Sequence, residues 1–188
     1  VVSQHGGAGN NDNKRVHSIG DQSDSSVDIL EYVTIANTGN TTDFGDLTVA
    51  RYPPAVTSSN TRTLYGGGYN VPGGNQDTID YITTGSTGNA TDFGNLSVTR
   101  TSMSACSSST RGVFMGGNND TNVIDYVTIA SAGNATDFGD LTQNANNTSG
   151  AYSNKIRGDM AIGGSAPSTV NSIEYITIAS TGNSQDFG

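Results

Sequence analysis

Along the chain, strand-length runs of β-branched and aromatic residues alternate with breaks rich in glycine, serine and asparagine, and the whole alternation recurs four times. Its clearest landmark is Asp-Phe-Gly, at Asp43-Phe44-Gly45, Asp92-Phe93-Gly94, Asp137-Phe138-Gly139 and Asp186-Phe187-Gly188, each preceded by a Thr-Gly-Asn or Ala-Gly-Asn turn. The spacing is 49 residues from Phe44 to Phe93, 45 from Phe93 to Phe138 and 49 from Phe138 to Phe187. Upstream of each lies an apolar run with an acid in it: Ile29-Leu30-Glu31-Tyr32, Ile79-Asp80-Tyr81, Ile124-Asp125-Tyr126 and Ile173-Glu174-Tyr175. Earlier still, an arginine opens a run that ends in glycine, from Arg15 to Gly20, Arg62 to Gly67-Gly68, Arg111 to Gly116-Gly117 and Arg157 to Gly163-Gly164.

These landmarks predict four short strands per unit. Strand a is a small-residue stretch such as Ala105 to Ser108, strand b the Arg-to-Gly run, strand c the Ile-acid-Tyr run, and strand d the segment around Asp-Phe-Gly. The double glycines and the Asn/Asp-rich stretches after them supply positive φ and side-chain-to-backbone bonds, so b and c are expected to form a hairpin. No apolar spacing of three and four residues is sustained, so almost no α-helix is expected. The units fall approximately at 1–45, 46–94, 95–139 and 140–188 of a single repeat domain.

A lone sheet of four short strands cannot bury enough surface, and repetition solves this by packing each sheet against the next. Arranged radially, the units become propeller blades around an axis, whose inward faces hold Tyr32, Tyr81, Tyr126 and Tyr175 with Phe44, Phe93, Phe138 and Phe187. Each buried aromatic contributes about 1.5–3 kcal/mol by area, so loss of any one is expected to be felt.

Composition narrows the function. Only 32% of the 188 residues are hydrophobic, 13% are charged and none is Trp, which favours several thin cores over one large one. The net charge of −9 leaves no basic stripe for nucleic acid. Cys106 is the single cysteine, so neither an intrachain disulfide nor a Cys/His zinc cluster is expected. No apolar run approaches the roughly 18–20 residues that span a bilayer, and the chain reads as soluble, without membrane insertion.

The double glycine closing strand b, the aromatics of strands c and d, and a period near ~50 residues resemble kelch repeats. Leu47-Thr48-Val49-Ala50-Arg51 and Leu96-Ser97-Val98-Thr99-Arg100 look like that family's opening segment. Phe replaces the usual strand-d Trp, and Gly20-Asp21 replaces the first glycine pair, which marks a divergent branch. The phrase Tyr-Val-Thr-Ile-Ala-Ser-x-Gly-Asn-Ala-Thr-Asp-Phe-Gly also resembles repeats of virion structural proteins of marine bacteriophages, especially those infecting cyanobacteria. The resemblance implies an all-β kelch-like propeller and, since the fold dictates no chemistry, a non-enzymatic interaction or structural module in a tail, fibre or capsid appendage. Its localisation is then the virion or the extracellular space, and its partners other virion proteins or a host-surface glycan or protein. Kelch-like rings usually hold about six or seven blades, so three arrangements stay open: part of a larger ring, a four-bladed ring, or self-association of two copies into eight blades. The two ends coincide with one unit boundary, which favours a whole number of blades. A carbohydrate-binding or carbohydrate-active domain and a purely structural spacer are the alternative functions.

Candidate sites are few. Asp-Phe-Gly is a magnesium motif in kinases, but a kinase pairs one copy with a nucleotide-covering glycine loop and a catalytic-loop Asp, and neither is present. Glu31, Asp80, Asp125 and Glu174 occupy one position per unit; repetition gives them like surroundings, whereas acid–base work needs two carboxyls with separated pKa values. They read as a solvated or salt-bridged face with Arg15, Arg62, Arg111 and Arg157 as partners. His5 and His17, with Asp21 or Asp24, lack a repeated metal-ligand spacing, and one Cys far from both His disfavours a kelch-type copper-radical centre. The oxygen-rich loops Gly116-Gly117-Asn118-Asn119-Asp120 and Gly20-Asp21-Gln22-Ser23-Asp24 lack EF-hand spacing. The sequons at Asn40, Asn89, Asn119 and Asn134 follow from a Thr-rich repeat. No catalytic residue, metal site or cofactor is expected. Ligand binding is expected in the variable b–c loops, Tyr69 to Gln76, Asn118 to Asn122 and Ser165 to Asn171, through Tyr69, Asn70, Asn75, Asn118, Asn119 and Asp120.

Overall fold

Each sequence unit folds into a four-stranded antiparallel meander. The computed structural model describes residues 7–11, 14–18, 26–118, 121–145, 150–163 and 170–188, and within 7–18 only the side chain of Val16. The first sheet comprises β1 (Gly7–Asn11), β2 (Lys14–Ser18), β3 (Ile29–Thr34) and β4 (Thr42–Asp46). The second runs β5 (Ala55–Ser58), β6 (Arg62–Gly66), then a small hairpin of β7 (Tyr69–Asn70) and β8 (Gly74–Asn75), then β9 (Thr78–Thr83) and β10 (Thr91–Asn95). The third holds β11 (Ser104–Ser107), β12 (Arg111–Met115), β13 (Thr121–Thr128) and β14 (Thr136–Ala145). The fourth holds β15 (Gly150–Ser153), β16 (Arg157–Ala161), β17 (Ile173–Thr177) and β18 (Gln185–Asp186). Among the described residues no helix occurs. The expected b–c hairpins turn on positive-φ glycines, Gly67 at +60° with Gly68 at +112°, and Gly116 at +61° with Gly117 at +125°.

The Asp-Phe-Gly segment has a defined backbone role. In the first three sheets the pairing of the third and fourth strands slips by one residue: Leu30 faces Gly45 while Glu31 faces Asp43, and the same step occurs around Phe93 and Phe138. Phenylalanine is therefore the extra residue of a β-bulge, which re-aims its ring. The ring meets the strand-c tyrosine edge-on, at centroid distances of 6.1 Å for Tyr32–Phe44 and 5.8 Å for both Tyr81–Phe93 and Tyr126–Phe138.

Successive sheets pack face to face, and the core is divided among three junctions. Leu30, Phe44 and Val16 of the first sheet meet Tyr65 and Ile82 of the second. Leu64, Ile79 and Phe93 of the second meet Phe114, Val127 and Ile129 of the third. Val113, Ile124 and Phe138 of the third meet Met160, Ile176 and Ile178 of the fourth. We call the face that meets the following sheet the leading face, and the opposite one the trailing face; strand alternation assigns each residue to one of them. The first strands β1, β5, β11 and β15 lie beside one another in succession. Of the eight repeated aromatics expected on inward faces, the Tyr and Phe of the first three sheets pack at the junctions between sheets. Phe187 is 59% exposed, because no described sheet lies on the leading face of the fourth.

Register also corrects the alignment of the first unit. Arg62, Arg111 and Arg157 pair with Thr83, Thr128 and Thr177, and the residue so paired in the first sheet, with Thr34, is Lys14 rather than Arg15. Arg15 stands one place on, opposite Val33, where the other sheets have Thr63, Gly112 and Gly158.

Candidate functional site

Three of the four repeated carboxylates form buried latches between sheets, while Glu31 of the first sheet is half-buried. Asp80 and Asp125 are fully buried and Glu174 nearly so; of the solvated or salt-bridged face expected, the salt-bridged alternative holds for Asp80 and Asp125, with arginines other than those expected. Their partners come from the link that leaves the preceding sheet. Arg51 Nη1 lies 2.8 Å from Asp80 Oδ2, its Nε donates to the Gly67 carbonyl at 2.8 Å, and its Nη2 to that of Tyr65 at 3.0 Å. Thr48 adds its backbone N–H at 3.1 Å and its hydroxyl at 2.6 Å to the same carboxylate. Arg100 and Asp125 repeat the pair at 2.7 Å, with the Ser97 N–H donating at 3.1 Å. Burial pushes both guanidinium pKa values down, and the facing aspartate partly restores them; arginine stays charged throughout.

The fourth sheet reaches the same end differently. Ala145 stands where Arg51 and Arg100 stand, and the acid is a glutamate whose extra methylene extends it toward the link. Glu174 accepts from the Thr142 N–H at 3.0 Å, from the Thr142 hydroxyl and from the Ser184 hydroxyl. Ser184 occupies the place of Ala90 and Ala135, so a hydroxyl replaces the guanidinium as donor.

The arginines expected as ion-pair partners do something else. Arg62, Arg111 and Arg157 stack over Tyr81, Tyr126 and Tyr175 at 4.4, 4.5 and 4.1 Å from the ring centroids. Arg62 and Arg111 then reach into the next sheet and donate to the carbonyls of Ile129 and Ile178, each at 2.9 Å. The Asp80 and Asp125 partners were nonetheless readable, since Arg51 and Arg100 recur at one place in the two links; the third link lacks the arginine and hides the pattern.

A second recurrent contact joins each Asp-Phe-Gly to the Gly-Asn turn of the following sheet. The Gly88, Gly133 and Gly182 N–H groups donate to the carbonyls of Phe44, Phe93 and Phe138 at 2.8, 2.7 and 2.7 Å. Asn89, Asn134 and Asn183 accept the N–H of Asp46, Asn95 and Asp140 at 3.2, 3.1 and 3.0 Å. The backbones approach so closely that a Cβ on Gly45, Gly94 or Gly139 would lie 2.5 Å from the facing glycine. The motif thus serves as an inter-sheet clasp, and two of the sequon asparagines, Asn89 and Asn134, have their side-chain oxygens engaged in it.

The b–c loops lie at the same end of the sheets as the links. Tyr69 and Tyr52 exchange backbone bonds of 2.7 and 2.9 Å, and their half-buried rings sit 5.9 Å apart, tilted by 55°. Asn70 donates to the Ala50 carbonyl at 2.6 Å and accepts from the Gly73 N–H at 3.2 Å. Asn75 donates across to Asn118 Oδ1 at 3.3 Å, and that oxygen also accepts the Thr101 N–H at 3.1 Å. The structure therefore brings Tyr69, Asn70, Asn75 and Asn118 to one end of the second and third sheets. Asn119, Asp120, His5, Asp21 and Asp24 lie outside the described residues, and so does the side chain of His17. Val71, two residues beyond Tyr69, is 37% exposed.

At the opposite end, the turns Ser58-Ser59-Asn60, Ser107-Ser108-Ser109 and Ser153-Asn154-Lys155 surround a concavity of about 420 Å³. Its serines tie the first strands together: Ser107 Oγ donates to the Ser58 carbonyl at 2.7 Å, and Ser153 Oγ to that of Ser107 at 2.9 Å. Among the described residues no group of three His, Cys, Asp or Glu is placed to hold a metal. Cys106 is buried, and desolvation, helped by the Asp159 charge, pushes its thiol up to about 12, far from the range of a nucleophile at neutral pH. No protein-family model and no curated protein matches this chain.

Proposed function

We propose that the chain is a non-enzymatic interaction or structural module of a virion, a kelch-like propeller or part of one, that meets a protein or glycan surface through the loops at the link end of its sheets. The observation that carries this reading is the use of the repeated polar groups. The acids, arginines and Asp-Phe-Gly motifs spend their hydrogen-bonding capacity on neighbouring sheets, so the chemistry that differs between units is concentrated in the loops. There the Tyr52–Tyr69 pair, with Val71 and the asparagines of these loops, presents ring faces and amides on a backbone already fixed by hydrogen bonds. Rigid aromatic surface flanked by amides suits a sugar ring or a protein surface, because little conformational entropy is lost on contact. The virion assignment rests on the repeat's resemblance to phage structural proteins.

Binding of the purified chain to a glycan array and to isolated host-surface polysaccharide tests the reading, with mass spectrometry of purified particles to locate it. Binding is expected to fall by about tenfold or more in Tyr69→Ala, with the circular dichroism unchanged and no polysaccharide cleaved. Turnover that one carboxylate substitution abolishes would instead make the domain a carbohydrate-active enzyme, and absence of any glycan or protein ligand would make it a spacer.

A further inference from the structure

We infer that the concavity between the turns of the second, third and fourth sheets is a binding site of its own, and that it takes the oxyanion of a small ligand, the carboxylate or phosphate group of an acidic sugar. The inference is independent of ligand binding at the loops, which lie at the other end of the sheets.

The site is built from inside the repeat array. The first strands β5, β11 and β15 lie beside one another, so the turns that follow them, Ser58-Ser59-Asn60, Ser107-Ser108-Ser109 and Ser153-Asn154-Lys155, converge around about 420 Å³. That volume falls within the roughly 300–1,000 Å³ of small-molecule sites. The opening serine of each turn belongs to the frame. Ser107 Oγ donates to the Ser58 carbonyl at 2.7 Å, the Ser107 N–H donates to Ser153 Oγ at 3.3 Å, and Ser153 Oγ donates to the Ser107 carbonyl at 2.9 Å. The hydroxyl protons of Ser107 and Ser153 are thus spent on the neighbouring strand, and the three turns are held at a fixed spacing.

The second position of each turn sets the polarity of the site. Ser59 Oγ accepts the N–H of Thr61 at 3.3 Å and that of Arg62 at 3.2 Å. Ser108 Oγ accepts the N–H of Thr110 at 3.2 Å and that of Arg111 at 3.1 Å. Asn154 Oδ1 accepts the N–H of Ile156 and of Arg157, both at 2.8 Å. A hydroxyl oxygen has two lone pairs, so Ser59 and Ser108 have only their O–H left for a ligand, and Asn154 keeps the two N–H groups of its amide. The competing acceptors, Thr61 Oγ1 and Thr110 Oγ1, stand at 3.4 Å, beyond the ordinary length of an O–H···O bond. In the third turn the equivalent residue is Ile156, which has no hydroxyl. All three turns therefore offer donors whose own oxygens are closed.

Charge agrees with this polarity. The chain carries 17 acids against 8 bases, yet none of the residues lining the concavity is acidic and one is Lys155. Lys155 is exposed, and among the described residues the ion pairs are those of Arg51 and Arg100 alone. A cation would meet an ammonium group and no carboxylate. The hydroxyls of a neutral sugar each bring a proton that needs an acceptor. A carboxylate or phosphate brings lone pairs without protons, and its bonds to such donors are charge-assisted.

The test is an amide chemical-shift titration of the ¹⁵N-labelled 188-residue chain with sodium glucuronate, inorganic phosphate and glucose at constant ionic strength. Saturable shifts at Asn60, Ser109 and Lys155 are expected with both anions and none with glucose. Tighter binding of glucuronate would identify a carboxylate as the natural group, tighter binding of phosphate a phosphate ester. Asn154→Asp keeps the oxygen that holds the turn but turns the donor into an anionic acceptor, so saturation should be lost. Lys155→Gln, on an exposed side chain, should weaken binding by about fivefold with the rest of the spectrum unchanged, which covers the case in which Asn154→Asp fails to fold. Shifts that never saturate, an equal response to glucose, or undiminished binding in the folded variants would overturn the inference. Saturable shifts confined to Tyr69 and Asn70 would also overturn it, while supporting ligand binding at the loops.

Discussion

Gly94→Ala probes the clasp directly. The substitution fixes a side chain on a residue at φ +143° and places its Cβ 2.5 Å from the Gly133 carbonyl oxygen, 2.6 Å from its carbon and 2.9 Å from the Asn134 nitrogen, all backbone atoms without freedom to step aside. Holding alanine at such a φ costs about 1–3 kcal/mol. Moving the turn away also sacrifices the bonds from Gly133 N–H to the Phe93 carbonyl and from Ala135 N–H to the Asn95 carbonyl, each about 0.5–1.5 kcal/mol. The sum is about 2–6 kcal/mol, a large part of the stability of an ordinary domain. Gly88→Ala is the matched control: its φ is +151° but nothing lies within 4 Å of the added carbon, so it incurs the conformational cost alone. Urea unfolding followed by far-ultraviolet circular dichroism is expected to put Gly94→Ala about 1–3 kcal/mol below Gly88→Ala. Equal destabilisation by the two would show that crowding at the clasp contributes nothing, and the account of Asp-Phe-Gly would fail.

Three further outcomes are expected. Arg100→Met should destabilise by about 3–5 kcal/mol by stranding Asp125 in the core, whereas pairing it with Asp125→Leu should recover most of the loss; chemical denaturation of both variants reads the difference. Phe93→Ala should cost about 3–5 kcal/mol, while Phe187→Ala, on an exposed ring, should change the monomer's midpoint little, and similar effects would contradict the junction scheme. The Cys106 thiol ionises near 9 when exposed and near 12 when folded, so the native state holds its proton longer. This stabilising contribution is complete below pH 9 and is lost as pH rises toward 12, with a slope of up to about 1.4 kcal/mol per pH unit; Cys106→Ala should flatten that part of a stability–pH curve.

Strand type and repeat spacing were legible because they are local: β-branched runs, glycine pairs and turns declare themselves within a few residues. Pairings across sheets were less so. The partner of Asp80 is Arg51 rather than Arg62 because a strand alternates its faces. The acid points to the trailing side, toward the incoming link, while Arg62 and Tyr81 share the leading side. The offset between Lys14 and Arg15 was hidden by the identity of the second residue, since an arginine one place along looks like the repeat until strand register is known. The Phe187 ring looked equivalent to the other three because its sequence context is the same; its environment differs only through what lies beyond the sheet. Among the loop residues, Asn70, Asn75 and Asn118 could be located, but that their amides hold backbone and one another depends on the link from the preceding sheet, which no local pattern encodes.

The clasps also bear on how such a chain could change its length over generations. Each joins residues only 39 to 43 positions apart, at 46–89, 95–134 and 140–183, and each uses the same few side chains. Removing or duplicating one such period leaves every clasp with the same kinds of partner, although the latches of the third link differ from those of the first two. Near-identical coding segments misalign readily during recombination, and here the usual penalty for the resulting insertion or deletion, a disrupted core, is avoided. Repeat number is therefore expected to vary among descendants of this sequence far more freely than the residues within a repeat.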